Sequence, residues 1–245
     1  MLYIQIQADL KAIADPVKAD SLPYFFKTGE GQYAAGDRFI GVIVPEQRKV
    51  AKKYYIEATY ADLKILLQSP IHEHRYTALE ILVMKYQKLA KTEFIKQEIV
   101  DFYLANLSGV NNWDLVDTSA SYILGAFLCD KPKDVLYKLA KSENLWQERI
   151  AVVSTMYFIN SSDFADILAL AKQFLTHKHD LIHKSVGWML REVGKKDRLV
   201  LDKFLKENSG QMPRTMLRYA IEKHDEKTRQ AILKGEWGVR TKIIN

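Results

Sequence analysis

The 245-residue chain is poor in the residues that staple, break or anchor a fold. Its single cysteine, Cys129, excludes an internal disulfide and any site built from several thiolates. One thiol suits a reducing compartment, so a cytoplasmic location is expected. Six prolines and eleven glycines leave long stretches free for regular structure. No apolar run approaches the roughly 20 residues that cross a bilayer, so no membrane partner is expected. The opening MLYIQIQADLKAIAD has no basic leader and no small-residue cleavage pattern, so no secretory signal is expected either. Several catalytic signatures are missing as well. The glycine-rich Thr28–Gly36 stretch lacks the Lys-Ser/Thr pair of a phosphate loop and reads as a mobile surface loop. There is no GxSxG. His72-Glu-His74, and His177-Lys-His179 with His183, do not match the HExxH pattern of a zinc helix, so they read as surface histidines and no metal is expected. Cys129 lies in an apolar helical segment and reads as a small core residue.

What is present is helical periodicity and positive charge. Lys and Arg total 36 against 30 Asp and Glu, a balance that permits a nucleic-acid partner without establishing one. Apolar residues recur at three- and four-residue spacing along most of the chain. Short breakers separate the helices at Ser69-Pro70, Lys131-Pro132-Lys133, Asn160-Ser161-Ser162, Asn208-Ser209-Gly210 and Met212-Pro213. Ser161 or Ser162 reads as a helix cap, and Pro132 and Pro213 suit a first turn. Arg38–Val44 is β-rich but isolated, so it reads as an extended loop. Segments beginning at His72, Trp113, Trp146, Ile182 and Met212 resemble one another at an average spacing of about 35 residues. Helix pairs of this kind bury their apolar faces only by stacking. The expectation is an all-α, superhelical solenoid of HEAT-like helical repeats forming one domain over residues 1–245, with a concave basic face.

Near the start of each inner helix stands one polar residue: Arg75, Asp117, Arg149, Lys184 and Arg214. A basic row on a concave face would track a phosphate backbone, and one carboxylate within it requires another reason. Trp113 and Asp117, four apart, share a helix face, as do Trp188 and Arg191, and Trp146 and Arg149, each three apart. The ordinary alternative is that each Trp packs between repeats and each Arg caps a neighbouring helix. The recurrence of the pattern favours a site for a bound polymer. Asp114, in a first turn after Asn111 and Asn112, reads as a structural partner of the helix dipole.

Three of these motifs, in order, resemble the DNA alkylation repair family of HEAT-like-repeat DNA glycosylases, the AlkD type. They are Asn112-Trp113-Asp114-Leu115-Val116-Asp117, Leu145-Trp146-Gln147-Glu148-Arg149 and Gly187-Trp188-Met189-Leu190-Arg191-Glu192. Gly36–Pro45 with Arg48 is similar to the family's amino-terminal region. The resemblance implies double-stranded DNA with alkylated bases as partner, and no obligate protein partner. It implies excision of cationic N3- or N7-alkylated purines, such as 3-methyladenine and 7-methylguanine, without an extruded base held in a deep pocket. It makes Asp117 the catalytic carboxylate and places Trp113 and Trp188 in an aromatic cleft. Arg149, Arg191 and Arg48 become DNA contacts, beside Lys184 and Arg214 of the basic row. The family's third cleft aromatic is a tyrosine; here Phe25 stands nearest, beside Tyr24.

A cationic alkylpurine is already a good leaving group, so the scheme requires no general acid, no Schiff-base lysine, no metal and no organic cofactor. A fixed carboxylate stabilises the oxocarbenium-like sugar that forms as the bond breaks. The expected activity is a monofunctional glycosylase. Two rivals remain: a HEAT-repeat protein that binds structured DNA without excising anything, and a protein-binding HEAT scaffold.

Overall fold

The protein is described by a computed structural model covering residues 1–237. The closing segment from Gly238 to Asn245, which the sequence leaves open as either a cap or a loose end, lies outside the described residues. The chain divides into two compact units, Met1–Pro132 and Lys133–Asn245. The first holds α1 (Leu2–Ala12), α2 (Pro16–Phe26), α3 (Val44–Tyr54), α4 (Tyr60–Leu67), α5 (His72–Met84), α6 (Glu93–Ala105), α7 (Trp113–Ala120) and α8 (Ala126–Leu128). The second holds α9 (Asp134–Ala140), α10 (Leu145–Asn160), α11 (Ala165–Gln173), α12 (Asp180–Lys196), α13 (Arg198–Asn208), α14 (Arg214–Ala220) and α15 (Glu226–Lys234). The expected all-α class holds. Of the Arg38–Val44 stretch, residues 38–43 are an extended loop and Val44 opens α3; among the described residues its one sheet-like contact is a bridge from Arg38 to Ile71.

Local chemistry sets the boundaries. Asp15 caps α2 by accepting from the amides of Val17 and Lys18, with Pro16 in the first turn. Thr59 and Asp62 form a capping box at α4. Asn112, fully buried, caps α7 through the Trp113 amide. Asn144 does the same for α10 and His179 for α12. All five resembling segments open a helix at or within two residues of the expected place. The serines do not. Ser161 closes α10, Ser162 takes φ 62°, and Asp163 accepts from the Ala165 amide ahead of α11. The longer carboxylate side chain supplies the acceptor expected of a serine.

Within each unit, helices pack against the next one or two along the chain, with α3 on α5 and α5 on α7, then α10 on α12 and α12 on α14. Ile6, Leu10, Leu63, Leu79, Ile81 and Leu115 fill the first core, and Ile150, Phe158, Ile182, Met189 and Met216 the second. Gly187 permits a close approach of α12 to α14: a Cβ there would stand 2.5 Å from the Met216 carbonyl oxygen and 2.6 Å from the Tyr219 Cβ. A π turn at Ser121–Gly125 separates α7 from α8 and carries Tyr122, an irregularity that often accompanies functional sites.

Candidate functional site

In the first unit, α2, the loop over residues 39–43, α3, α5 and α7 surround a cavity of about 670 Å³. It brings together four residues singled out from the sequence: Phe25, Arg48, Trp113 and Asp117. Asn112 sets the start of α7, so Trp113 opens that helix and Asp117 follows one turn on, both half-buried. Phe25 is 61% exposed and meets the Trp113 indole edge-on at 5.7 Å. Phe26 lies under the same indole, nearly parallel at 5.3 Å. It also stacks on Phe39 at 5.0 Å. The principal wall against Trp113 is therefore Phe26, which the sequence reading passed over in favour of its neighbour. Periodicity alone could not separate them, because both lie in one aromatic run at the end of α2.

Two polar networks support this wall. In one, Arg48 donates from Nε to Glu80 at 2.9 Å and from Nη2 to the Tyr76 hydroxyl at 3.3 Å. Thr118 donates to the same Glu80 oxygen at 2.8 Å. The Glu80 bond raises the Arg48 pKa further, while half of the Arg48 side chain stays in solvent. This leaves a fixed positive charge at the cavity edge. Burial pushes the Tyr76 hydroxyl up to about 12, so it remains protonated.

The second network is buried. His72 places Nδ1 3.1 Å from Asp37 and Nε2 2.7 Å from Asp114. Arg75 binds the other Asp37 oxygen at 2.7 Å and the Ser69 carbonyl at 2.8 Å. Burial by itself would lower the His72 pKa, but the charge and hydrogen bond of Asp114, with the bond to Asp37, raise it to about 9. Burial opposes ionisation of Asp37, but His72 and Arg75 outweigh it and hold its pKa below the usual value. His72 is thus a buried cation and not the surface histidine read from the sequence. Arg75 is 3% exposed and is not part of a surface basic row. Asp114 accepts from the Leu115 amide as a first-turn acid should, and also faces the cavity.

Glu73, 1% exposed, anchors the loop wall. Its carboxylate accepts from the Ile40 amide at 3.0 Å and the Gly41 amide at 2.8 Å. Gly41 has φ +80°, and a Cβ there would stand 2.0 Å from the Asp15 carbonyl oxygen. Only glycine lets the loop lie this close to the start of α2. The Gly29–Gly36 stretch is held by local bonds, including Ala34 to the Lys27 carbonyl, and Ala34 is buried. Most of the stretch is exposed, as expected of a surface loop.

The second unit carries the other singled-out residues. Trp188 and Arg191 lie on α12, both half-buried. Arg191 pairs with Glu192 at 3.3 Å and closely with Glu222. Lys184, half-buried, pairs with Asp180 at 2.7 Å. Arg214 donates to the Leu233 carbonyl at 2.7 Å. Arg149 is 5% exposed and donates to the Leu181 carbonyl at 2.7 Å. Side-chain identity announces charge but not burial, so the expected row of surface cations is interrupted at Arg75 and Arg149. His177 pairs with Glu148, and His179 caps α12. Cys129 is half-buried at the end of α8. Among the described residues no group of three or more His, Cys, Asp or Glu side chains could hold a metal ion, and no helix is long and apolar enough to cross a membrane.

Fold and cavity together define an all-α protein that sets an indole, a carboxylate and a guanidinium around one aromatic-walled cleft. Residues 6–224 match the model of the DNA alkylation repair enzyme family, and the chain belongs to that family. A solved structure described as a predicted DNA alkylation repair enzyme from Enterococcus faecalis has a similar fold, with a TM-score of 0.68 and 18% identity. The similarity covers 87% of this chain and 97% of that one. No curated protein sequence matches significantly.

Proposed function

We propose that the protein is a monofunctional DNA glycosylase that releases cationic N3- or N7-alkylated purines, among them 3-methyladenine and 7-methylguanine, from duplex DNA. The observation that carries this reading is the presence of Asp117, Trp113 and Phe25 around one cavity with the half-exposed Arg48. A carboxylate beside electron-rich rings suits a site where positive charge develops, and an arginine at the edge suits a neighbouring phosphate.

In the proposed reaction the damaged nucleotide presents its deoxyribose to the cleft while the base stays in the helical stack. The bond from C1′ to the purine nitrogen breaks, and its electron pair leaves with the base, neutralising it. The sugar becomes an oxocarbenium-like cation. At about 4 Å and an effective dielectric near 20, the Asp117 carboxylate stabilises that cation by roughly 4 kcal/mol, about a thousandfold in rate. The Trp113 ring adds about 0.5–2 kcal/mol. Water then adds at C1′ and loses its proton, with Asp117 orienting it. Trp188, Arg191, Lys184, Arg214 and Arg149 are proposed as further contacts to the DNA. For Arg149 that role requires release from its bond to Leu181.

A base-release assay on methylated duplex DNA tests the proposal. Wild type should free 7-methylguanine and 3-methyladenine without cutting the strand, and Asp117→Asn should abolish release while still binding the duplex. Equal turnover by the two proteins would remove the catalytic assignment. Binding with no release by wild type would identify a DNA-binding protein instead.

A further inference from the structure

The contacts of His72 impose a proton count. Each ring nitrogen faces a carboxylate oxygen, at 3.1 Å for Asp37 and 2.7 Å for Asp114. An ionised carboxylate only accepts, and a neutral imidazole carries one N–H. Both contacts are hydrogen bonds when both nitrogens are protonated; Arg75 Nη2, 3.5 Å from Nδ1, donates to Asp37 at 2.7 Å instead. The carboxylates also accept from other donors. Asp37 also binds Arg75 at 2.7 Å and Asn112 at 3.3 Å, and Asp114 accepts from the Leu115 amide at 2.9 Å. The ring packs beside the Phe26–Phe39 pair, 4.8 Å from Phe39 and 5.0 Å from Phe26, and Phe26 in turn lies against Trp113. Two carboxylates therefore meet two cations, His72 and Arg75, in one buried cluster. The cluster spans the Asp37 loop, α5 and the first turn of α7.

We propose that His72 is a positioning residue for base excision: its doubly protonated ring bridges Asp37 to Asp114 and so fixes the first turn of α7, which sets Trp113 and Asp117 around the cleft. The role in excision rests on the glycosylase reading; the bridge itself does not. Loss of one ring proton leaves a single N–H for two carboxylates. One buried acceptor then loses its donor, and the link between α7 and α5 opens. The charged groups facing the ring are Asp37 from the loop, Asp114 from α7, and Arg75 and Glu73 from α5 itself; from α2 come the non-ionising Phe26 and, on the wall of the same cavity, Lys18. The raised pKa of His72, about 9, agrees with this arrangement.

The test uses the full chain and three readouts. Nuclear magnetic resonance of the His72 ring should show both nitrogens protonated at pH 8, with titration near pH 9. Amide hydrogen exchange at Leu115, Val116 and Asp117 should accelerate beyond the intrinsic base dependence as His72 titrates. Single-turnover release of 7-methylguanine should fall on the same alkaline limb. His72→Gln should slow release by about tenfold to a hundredfold, as a displaced catalytic group does, and abolish the limb, with affinity for undamaged duplex unchanged. Asp114→Asn, which keeps an acceptor at the start of α7, should move the ring titration and the limb together towards the ordinary histidine value. That second variant decides the matter should His72→Gln fail to fold. A wild-type His72 titrating near 6.5, or His72→Gln with the wild-type rate and limb, overturns the proposal. If wild type releases no base, the glycosylase reading and the role in excision fall together, and the ring titration with the α7 exchange then shows whether the bridge stands.

Discussion

Glu73 offers a direct measure of what holds the cleft open. Its carboxylate is the acceptor for two loop amides, the part-buried one of Ile40 and the buried one of Gly41. Replacing it with alanine leaves both N–H groups without a partner, at about 1–3 kcal/mol each, so Glu73→Ala should cost about 2–6 kcal/mol. For a chain of this size about 2–4 °C of melting temperature follows each kcal/mol, giving a fall on the order of 10 °C. Glu73→Gln behaves differently. Its amide oxygen still accepts from both N–H groups, and the buried charge is gone, so the loss should be about 1 kcal/mol or less. The pH dependence has a definite sign. Burial raises the Glu73 pKa against the opposing backbone hydrogen bonds. The native state therefore holds this proton more tightly than the unfolded chain. Wild type should gain stability relative to Glu73→Gln as the pH falls into the window above the ordinary 4.5, and lose it as the pH rises. Calorimetric melts of the three proteins from pH 4 to 8 read all of this. The loop fixed by Glu73 carries Phe39 and residues 41–43 of the cleft wall, so Glu73→Ala should slow base release as well. The reasoning fails if Glu73→Ala melts within a degree or two of wild type, or if Glu73→Gln is equally damaging.

Three further outcomes are expected. Phe25→Ala should change stability by less than about 1 kcal/mol, because the ring is mostly in solvent, yet slow base release; Phe26→Ala should cost about 3–5 kcal/mol by emptying the wall under Trp113, and thermal melts beside release rates distinguish the two. Gly187→Ala should lower the stability of the second unit by about 1–3 kcal/mol, since its methyl group meets the α14 backbone, and limited proteolysis of Lys133–Asn245 should report the loosening. His74 is buried with its pKa lowered to about 4 by desolvation, with Arg75 adding to the effect. Its contribution, up to about 3 kcal/mol, is present above pH 6.5 and lost as the pH falls towards 4, and urea titrations of His74→Gln should show that dependence flattened.

Much of this architecture can be read from the order of residues alone. Three- and four-residue apolar spacing, Asn112 and Asn144 before helices, and tryptophans at matching places are local signals, and they mark α7, α10 and α12 correctly. Trp113 and Asp117 fall on one face because the helix repeat places them there. What spacing does not reveal is which polar residues turn inward. His72 and Arg75 meet Asp37 across more than thirty residues of chain, and Glu73 meets Ile40 over a similar distance. Nothing local distinguishes such a histidine from one in solvent. The same limit explains Arg149, whose spacing from Trp146 suggests a surface pair while its guanidinium is buried against the Leu181 carbonyl.

His72 and His74 show how far burial and partners diverge over two residues. Desolvation acts on both rings in the same direction. His74 faces the neutral Ser69 hydroxyl and Gln7 amide, so desolvation prevails and the ring stays neutral near pH 7. His72 faces two carboxylates, and their attraction exceeds the desolvation cost and keeps the ring charged. The side that keeps its charge is the side bonded to α7 and stacked through Phe26 towards Trp113. A neutral ring there would pack equally well against Phe26 and Phe39 but could serve only one carboxylate. The charge matters because it joins three separate segments at once, and those segments carry the walls of the cleft.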